Sequence, residues 1–531
     1  MTLKSLKQTK MKTKKLYTAA AAAILSLGAA SCSDFLEVDP STQVSEVEFY
    51  KTEEDMLKGL YAVINEVQTR LPEVMSYSSL LSDESETGGG LGEGMWKEWV
   101  DQFQYTPTNA FGKWGYGSWW NEWDFGLFNG VVAANLLIDK LDASSLPAEI
   151  SDPMRAEARF YRALFYYYLW MGYEEIPLQE HYLTADQMYS VHQGTRQEVY
   201  DFMLSDLAPE IIKNLPARQS TVQGRVCQEA AKLLRAKIIL FHRDASAYQS
   251  ALDDLKGMIG GYMTLNTDFR RLWLKEGEWC PESIFEVCYA GNNSGESFAL
   301  CHSLSGRGIS DPRSADQGGL YDGYGQNTVP STVVRRWDAA DTRLEGSIIT
   351  YEDEARKVDA LVAAGELPAG SKFIWSTEQE KYEGFGHYKY HARKESTSAS
   401  NPGSNHYNSW RLFRYADVLL LAAELDCRIK NAGTADAQTW LDMIRDRAFQ
   451  DKNHRVEIKG KSLTAALDIL FEERGLEFFD EMQRWFDIMR FDKGVELLGD
   501  KGFTEKHRYF PIDQTEIDRS NGGLRQSPSW R

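Results

Sequence analysis

Aromatic side chains that could stack on a ligand are concentrated between residues 95 and 130. The second half of this stretch, KWGYGSWWNEWDFGLFNG (113–130), contains four tryptophans. Tryptophan and tyrosine pair an apolar face with a polar tip, so they suit both half-exposed packing and ligand contact. Helical spacing assigns one set of side chains to a buried helix face: Trp120, Trp123, Leu127 and Val131. Residues 95–117 show no such period, which predicts a loop whose aromatics could bind a ligand.

Carboxylates in the block EERGLEFFDEMQRWFD are the residues best placed for acid and base chemistry. Glu473 and Glu477 lie one turn apart on a predicted helix, with Arg474, Glu481 and Arg484 nearby. A glycoside hydrolase instead needs two carboxylates on facing elements, about 5–10 Å apart. The same-helix ladder with arginines therefore predicts a salt-bridge network of the scaffold, and we expect no enzyme activity from it.

Other catalytic and metal-binding motifs are absent from the sequence. The nine histidines are scattered, and neither HExxH nor GxSxG occurs. The glycine-rich run GGGLGEG (88–94) lacks the Lys-Ser/Thr of a phosphate loop, and Asp83, Glu84 and Glu86 before it would repel phosphate. This run is predicted to be a flexible loop, and no cofactor or metal is expected.

Charge and cysteine usage narrow the function classes further. The 531-residue chain has 59 basic and 78 acidic residues and a net charge of −19, which argues against nucleic-acid binding. Beyond Cys32, the five cysteines are an odd number and form no CxxC motif. They are predicted to be free, small hydrophobic residues, although Cys280 and Cys288 could bridge a hairpin.

The N-terminus has the pattern of an export signal. Lysines precede the apolar run LYTAAAAAILSLGAA (16–30), which is too short to span a membrane comfortably. The run ends in AASC, and small residues before Cys32 are typical of a bacterial lipobox, although Ala29 stands where leucine is usual. Residues 1–31 are therefore predicted to be a lipoprotein signal peptide and Cys32 the lipidated residue; an ordinary signal followed by an incidental cysteine is the alternative.

The elements that must position the aromatic loops are mostly helices. Helical patterns cover 51–70, 121–141, 152–172, 195–211, 226–242, 247–260, 410–431, 434–449 and 463–491. Asp152 and Pro153 have the pattern of a helix start, and Trp485 is predicted to be core because of its spacing from Phe478, Met482 and Met489. Residues 262–408 read as a loop-rich insertion with strand-like runs such as SIFEVCYA. We predict a mainly α fold with helix pairs of the tetratricopeptide type, in one compact unit with regions 32–261 and 262–531.

Five blocks of the chain, in order, resemble conserved blocks of the SusD/RagB family. They are SWWNEWDFGLFNGVVAANLLIDKL, AEARFYRALFYYYLWMGYEEIPL, RLFRYADVLLLAAELDCR, FEERGLEFFDEMQRWFDIMR and YFPIDQTEI. Four substitutions depart from the family pattern: Asp417 stands for Glu, Leu425 for Ala, Met482 for Gly and Asp513 for Pro. Together the blocks span nearly the whole chain after Cys32.

This resemblance implies a fold, a location and partners. Members of the family are outer-membrane lipoproteins of Bacteroidetes with a helical fold containing tetratricopeptide-like pairs. They bind nutrient, usually an oligosaccharide, and cover a TonB-dependent (SusC-like) transporter barrel; they are not enzymes. The resemblance implies a surface-exposed protein of polysaccharide utilisation, but it transfers no ligand-binding residue, because those lie in variable loops.

The ligand residues are instead predicted from sugar chemistry. Sugar rings stack their C–H faces on aromatic side chains, and their hydroxyls need amide or carboxylate partners. An early loop and the mid-chain loop GLYDGYGQNTVP (319–330) offer both, and because the family builds its site from such segments, we expect them to converge. The candidate residues are Trp96, Trp99, Tyr105, Asn109, Trp114, Tyr116, Tyr321, Asp322, Tyr324, Gln326 and Asn327.

Two alternatives to glycan binding stay open. The same scaffold could bind peptide, as in the RagB branch of the family. A secreted glycoside hydrolase would need an isolated carboxylate pair on facing loops, which the sequence does not identify.

Overall fold

The computed structural model describes residues 49–90, 95–108, 126–184, 186–187, 191–289, 300–378, 381–397 and 406–531. Within helices it leaves the side chains of residues 73, 75, 76, 95, 96, 300 and 302 undescribed. Residues 56–531 form one compact unit, and residues 1–55 are a separate one. The domain boundary predicted at residue 262 stays a prediction.

The first helix forms as its amphipathic pattern predicts. Helix α1 (Glu53–Leu80) starts at Thr52, whose hydroxyl accepts the Asp55 N–H at 3.2 Å, while the Asp55 carboxylate accepts the Thr52 N–H at 3.1 Å. These two bonds satisfy donors that the first turn of a helix leaves open. Four apolar side chains at helical spacing along this helix are buried: Met56, Leu60, Val63 and Val67.

The following helices pack against their neighbours in the chain, which confirms a mainly α scaffold. Strand β1 (Glu86–Thr87) and helix α2 (Met95–Asp101) come first. The helices are then α3 (Leu127–Asp142), α4 (Ala148–Gly172), α5 (Arg196–Asp206), α6 (Pro209–Ile212), α7 (Gln228–His242) and α8 (Tyr248–Lys256). Helices α3 and α4 approach closely at Gly130, where a Cβ would lie 2.4 Å from the Phe165 ring.

Short antiparallel strand pairs lie before the predicted insertion, within it and at its end. Strand β2 (Ile176–Pro177) pairs with β3 (Gln193–Gly194), β4 (Ser283–Val287) with β8 (Trp410–Arg414), and β6 (Ile348–Thr350) with β7 (Phe385–His387). Strand β5 (Asn327–Thr328) pairs with β1. The insertion also holds the helices α9 (Leu300–Leu304), α10 (Ser331–Val334), α11 (Arg343–Ser347) and α12 (Tyr351–Ala363).

The C-terminal helices close the scaffold. They are α13 (Tyr415–Lys430), α14 (Ala435–Phe449), α15 (Leu463–Glu477), α16 (Arg484–Arg490), α17 (Gly494–Leu498) and α18 (Gln514–Arg519). Helix α13 packs against α14, α15 and the earlier helix α8, so both halves of the chain share one core. Among the described residues, no helix combines the length and apolar character that crossing a membrane requires.

Four local predictions were wrong. Helix α4 begins at Ala148, five residues before Pro153, and Asp152 lies inside it. Residues 95–101 form α2 instead of a loop, and Trp410–Arg414 is a strand because it pairs with β4. The predicted helix 463–491 breaks between α15 and α16, where Asp480 and Met482 have positive φ. Trp485 is nevertheless buried, as predicted, as are Phe478, Met482 and Met489.

The arginines and carboxylates of the C-terminal block form the predicted scaffold network. Arg414 binds Glu477 at 2.6 Å and Glu481 at 2.6 Å, and Glu477 also binds Arg447 at 2.5 Å. Burial opposes ionisation of Glu477, yet these arginines and Arg343 hold its pKa well below the usual range. Because Glu473 is likewise bound by Arg343 at 2.7 Å and by Arg445 at 2.5 Å, neither carboxylate faces a cleft.

Candidate ligand-binding site

The early segment and the mid-chain loop meet at a short two-stranded ladder. Glu86 pairs with Thr328 and Thr87 with Asn327, and the Gly88 N–H donates to the Gln326 carbonyl at 2.8 Å. A Cβ at Gly88 would lie 2.3 Å from the Gly325 carbonyl oxygen, so this approach requires glycine. The start of the glycine-rich run is therefore part of a close contact between the two segments, and its residues 91–94 lie outside the described part of the chain.

A buried lysine ties helix α2 to the same loop. The Lys97 ammonium donates to the Gln326 side-chain oxygen, which also accepts the Ser303 hydroxyl at 3.1 Å. Lys97 is buried and lies 5.8 Å from the centre of the Tyr77 ring. Gln326 thus has a positioning role: its amide oxygen holds three segments together.

An open polar cleft of about 560 Å³ lies beside this junction. Its walls include Glu86, Gln102, Gln104, Lys381 and Asp500. At its base the buried Asp101 carboxylate accepts Lys501 at 2.7 Å and Lys381 at 3.2 Å. Burial disfavours the Asp101 carboxylate, but the charge and hydrogen bond of Lys501 lower its pKa. The cleft offers amides and carboxylates, which are the groups that sugar hydroxyls bind.

Three segments of the insertion form a small layer, and one of them leads directly into strand β5 of the ladder. Residues 305–310 are central: Arg307 bridges Gly323 on one side, and Ser310 bridges Ile374 on the other. The Gly323 N–H donates to the Gly306 carbonyl at 3.0 Å, and the Ser376 N–H donates to the Arg307 carbonyl at 2.9 Å. We call residues 305–310, 320–326 and 374–376 the insertion layer. It carries the predicted residues Tyr321, Asp322 and Tyr324.

An aromatic cluster that the sequence did not reveal supports the buried side of this layer. The Tyr351 ring stacks at 6.3 Å on Phe373 and at 6.4 Å on Trp375, and lies 6.1 Å from Tyr382. The Tyr351 hydroxyl accepts the Gly306 N–H at 3.1 Å and contacts the His391 Nε2 atom at 3.2 Å. The alternation of Phe373 and Trp375 around Ile374 was the available sequence signal.

The structure distributes the predicted ligand residues among different environments. Asp322 and Tyr324 are exposed, and Trp99, Tyr321 and Gln326 are half-buried. Trp96 lies on α2, but its side chain is outside the description, as are Asn109, Trp114, Tyr116 and the two predicted core residues Trp120 and Trp123. Glu86, Thr87 and Lys97 contact residues 326–328 directly. Residues 109–117 of the early loop lie outside the described part of the chain, so the convergence of the two loops stays a prediction.

The burial of two residues contradicts the prediction that their side chains contact a ligand. Tyr105 is 1% exposed, and its ring packs against Phe103, His507, Phe510 and Trp530. Its face is covered by C-terminal residues, so Tyr105 belongs to the core. Asn327 is also buried, within the β1–β5 ladder.

A buried acid lies directly behind the ladder. Glu84 precedes β1, is 1% exposed, and accepts the Asp480 N–H at 3.4 Å from the helix break. Burial raises the pKa of Glu84 to about 8, although the charge of Arg484 opposes this shift. Its neighbour Asp83 instead forms a two-pronged ion pair with Arg484, at 2.7 and 2.9 Å.

Metal and redox chemistry find no support in the described part of the chain. No group of three His, Cys, Asp or Glu side chains there is arranged to hold a metal ion. Cys227, Cys280, Cys288, Cys301 and Cys427 are all free, so the possible Cys280–Cys288 bridge does not form in this structure.

Comparison with known proteins identifies similar chains along almost the whole length. Residues 281–504 match a family model described as SusD family, and residues 34–240 match one described as starch-binding associating with outer membrane. SusD-like proteins P2 and P38 of Formosa agariphila are each 24% identical, over 96% and 92% of this chain and 98% and 94% of their own.

Solved structures share the fold. Surface glycan-binding protein A from Bacteroides thetaiotaomicron superposes with a TM-score of 0.75 at 24% identity, covering 90% of this chain and all of that protein. The structure of that name in complex with laminarihexaose has a TM-score of 0.74 at 24% identity, covering 89% of this chain and 99% of the other. At this identity the likeness establishes the fold.

Proposed function

This chain belongs to the SusD/RagB family, and from that premise we propose that it binds oligosaccharides at the cell surface. In this proposal Cys32 anchors the protein in the outer membrane by its lipid, and the bound glycan passes to a TonB-dependent, SusC-like transporter. The matched description "associating with outer membrane" and the similar glycan-binding proteins support the location and the ligand class.

The observation that carries the proposal is the composition of the junction between the early segment and the insertion layer. An exposed aromatic ring, that of Tyr324, lies on the same layer as the carboxylate of Asp322. The adjacent cleft adds the amides of Gln102 and Gln104. Stacking faces beside hydroxyl-binding groups are what a sugar ring requires, and they need no catalytic pair.

A binding role without hydrolysis also fits the carboxylates that the sequence singled out. The carboxylates of Glu473, Glu477 and Glu481 all form ion pairs with buried arginine side chains. We propose that the protein releases its ligand without cleaving it. Incubating the protein with the oligosaccharide that it binds, followed by chromatography of the sugar, checks this: release of shorter products would refute it.

The test of glycan binding is calorimetry of the wild-type protein against neutral hexasaccharides and against a peptide library. We expect binding of at least one hexasaccharide and none of the peptides. Binding of peptides alone would instead support the RagB-like alternative, in which the protein binds peptide.

The site is tested by alanine substitution at Trp96, Trp114, Tyr321 and Tyr324, singly, with melting temperature and affinity both measured. Tyr61→Ala is the matched control, because Tyr61 and Tyr324 are each 51% exposed and Tyr61 lies on α1, away from the layer. If all four variants keep full affinity for a glycan that the wild type binds, the site lies elsewhere.

A further inference from the structure

The insertion layer has one face turned to solvent and one face turned to the protein. Buried residues along its segments include Ile309, Gly323 and Phe373. Between them the exposed residues recur at alternate positions: Asp322 and Tyr324, Gly308 and Ser310, Ile374. Ser310 and Ile374 are paired and so share one face. Because the chain turns at Gly308, we assign Asp322 and Tyr324 to this outer face from their exposure on the adjoining segment and not from alternation.

Two apolar side chains stand at the edges of this outer face. Tyr324 is 51% exposed on one outer segment, and Ile374 is 56% exposed on the other. Few large hydrophobic side chains of the described chain are this exposed. Two strand spacings of about 4.8 Å separate the outer segments. Tyr324 lies beside residue 308 whereas Ile374 pairs with Ser310, so the two side chains are also offset by about 7 Å along the layer. Their separation of about 12 Å matches the first and third rings of a trisaccharide.

The surface between the Tyr324 and Ile374 side chains, which we call the floor, carries only small groups. Gly308 has φ +68°, and a Cβ there would lie 2.9 Å from the Ser376 Cβ atom. The next exposed position on the central segment is Ser310, whose hydroxyl is small and polar. A ligand can therefore lie close to the backbone of the central segment and still reach both edges.

We propose that this outer face is a three-unit glycan subsite, in which Tyr324 stacks on one sugar ring and Ile374 packs against the ring two units further along. The inference rests on the proposed glycan-binding function and specifies its ligand as a linear, uncharged oligosaccharide that crosses the three segments. Asp322 accepts the Ile309 N–H at 3.0 Å through one carboxylate oxygen. The exposed Asp322 and Glu378 are matched here by the exposed Lys372 and the half-buried Arg307, so the face carries no excess of charge that would favour an ionic chain.

The experiment measures affinity of the full mature chain for laminarihexaose, cellohexaose, maltohexaose, xylohexaose and mannohexaose by calorimetry. For the best of these, Ile374→Ser should weaken binding roughly fivefold to tenfold, as loss of one partly buried apolar contact implies. Ser310→Phe should weaken it at least as much, because its ring would fill the floor. Melting temperatures show that each variant is folded.

Val495→Ser is the matched control, because Val495 is a β-branched side chain with 54% exposure on α17, outside the layer. It should bind like the wild type. If the wild type binds a hexasaccharide and Ile374→Ser binds it equally well, the three-unit subsite is refuted while glycan binding stands. Weakening in Ser310→Phe alone also refutes it, since a bulky ring can block a neighbouring site. If the wild type binds none of the five, the proposed glycan function fails and this inference fails with it.

Discussion

Replacing Glu84 by glutamine should remove a specific part of the pH dependence of folding. Burial raises the pKa of Glu84 from 4.5 to about 8, so the folded protein keeps this proton where the unfolded chain has lost it. The groups facing Glu84 are Asp83, Asp480, Arg484 and Arg336. A raised folded-state pKa gives stability that is fully present below pH 4.5 and is lost as the pH rises to about 8.

The size of this pH effect follows from the single proton that the folded protein keeps on Glu84. Within this window each pH unit costs about 1.4 kcal/mol of unfolding free energy, so the step from pH 5.5 to 7.5 costs about 3 kcal/mol. With an unfolding entropy of about 2.1 cal/mol/K per residue, 1 kcal/mol shifts the Tm of a chain this long by about 1 °C. The Tm of Glu84→Gln should therefore gain about 3 °C on the wild type between these two pH values.

Thermal unfolding followed by circular dichroism at pH 5.5, 6.5 and 7.5 measures this difference. Asp83→Asn is the companion variant: the Arg484 pair holds the pKa of Asp83 at about 2 against its burial, so Asp83 itself is ionised throughout this range. That variant should lose about 3 kcal/mol, because Arg484 is left buried and unpaired. Its Tm should also depend less on pH than that of the wild type, because the charge of Asp83 adds to burial in raising the pKa of Glu84. Parallel Tm curves for Glu84→Gln and the wild type would refute the buried, protonated state of Glu84.

Three further predictions concern the scaffold and the anchor. Trp485→Ala should cost about 3–5 kcal/mol of stability, since its ring lies 6.0 Å from Phe103 and 6.1 Å from Phe503 in the core, and calorimetry should find unchanged glycan affinity per folded molecule. Glu477→Gln should cost a similar amount by denaturant unfolding because it leaves Arg414 and Arg447 underpaired, whereas Glu472→Gln, whose side chain is 60% exposed, should change stability little. Cys32→Ala should move the protein from the membrane to the soluble fraction of cells that lack the transporter; unchanged membrane retention there would contradict lipid anchoring.

Sequence patterns predicted the long helices because each has a local amphipathic period. Helix α1 is an example: its cap at Thr52 and its face from Met56 to Val67 need no distant partner to be recognised. Strand β8 could not be recognised in the same way. Its pattern WRLFR runs directly into the helical text of α13, and it becomes a strand because β4, more than a hundred residues earlier, pairs with it.

The site was harder to predict than the fold because exposure of a loop aromatic depends on distant residues. Tyr105 and Tyr324 look equivalent in sequence, since both are tyrosines in polar loops. Tyr105 is buried by Phe510 and Trp530, about four hundred residues later, whereas Tyr324 stays half exposed. Trp375 was missed for the reverse reason: nothing local distinguishes an aromatic that supports a ligand layer from one that fills a core.

The break in the C-terminal helix connects the scaffold to the site. The periodic block EERGLEFFDEMQRWFD predicts one continuous helix, yet the chain turns at Asp480 and Met482. That turn brings the Asp480 N–H to Glu84 and the Arg484 guanidinium to Asp83, while Lys501 donates to the carbonyls of Ser82 and Ser85. The segment that leads into the ladder is thus fixed before any ligand arrives. Ordering a loop on binding costs conformational entropy and so weakens affinity. Because this segment is already anchored, less of the free energy of each contact with the ligand is lost to ordering it.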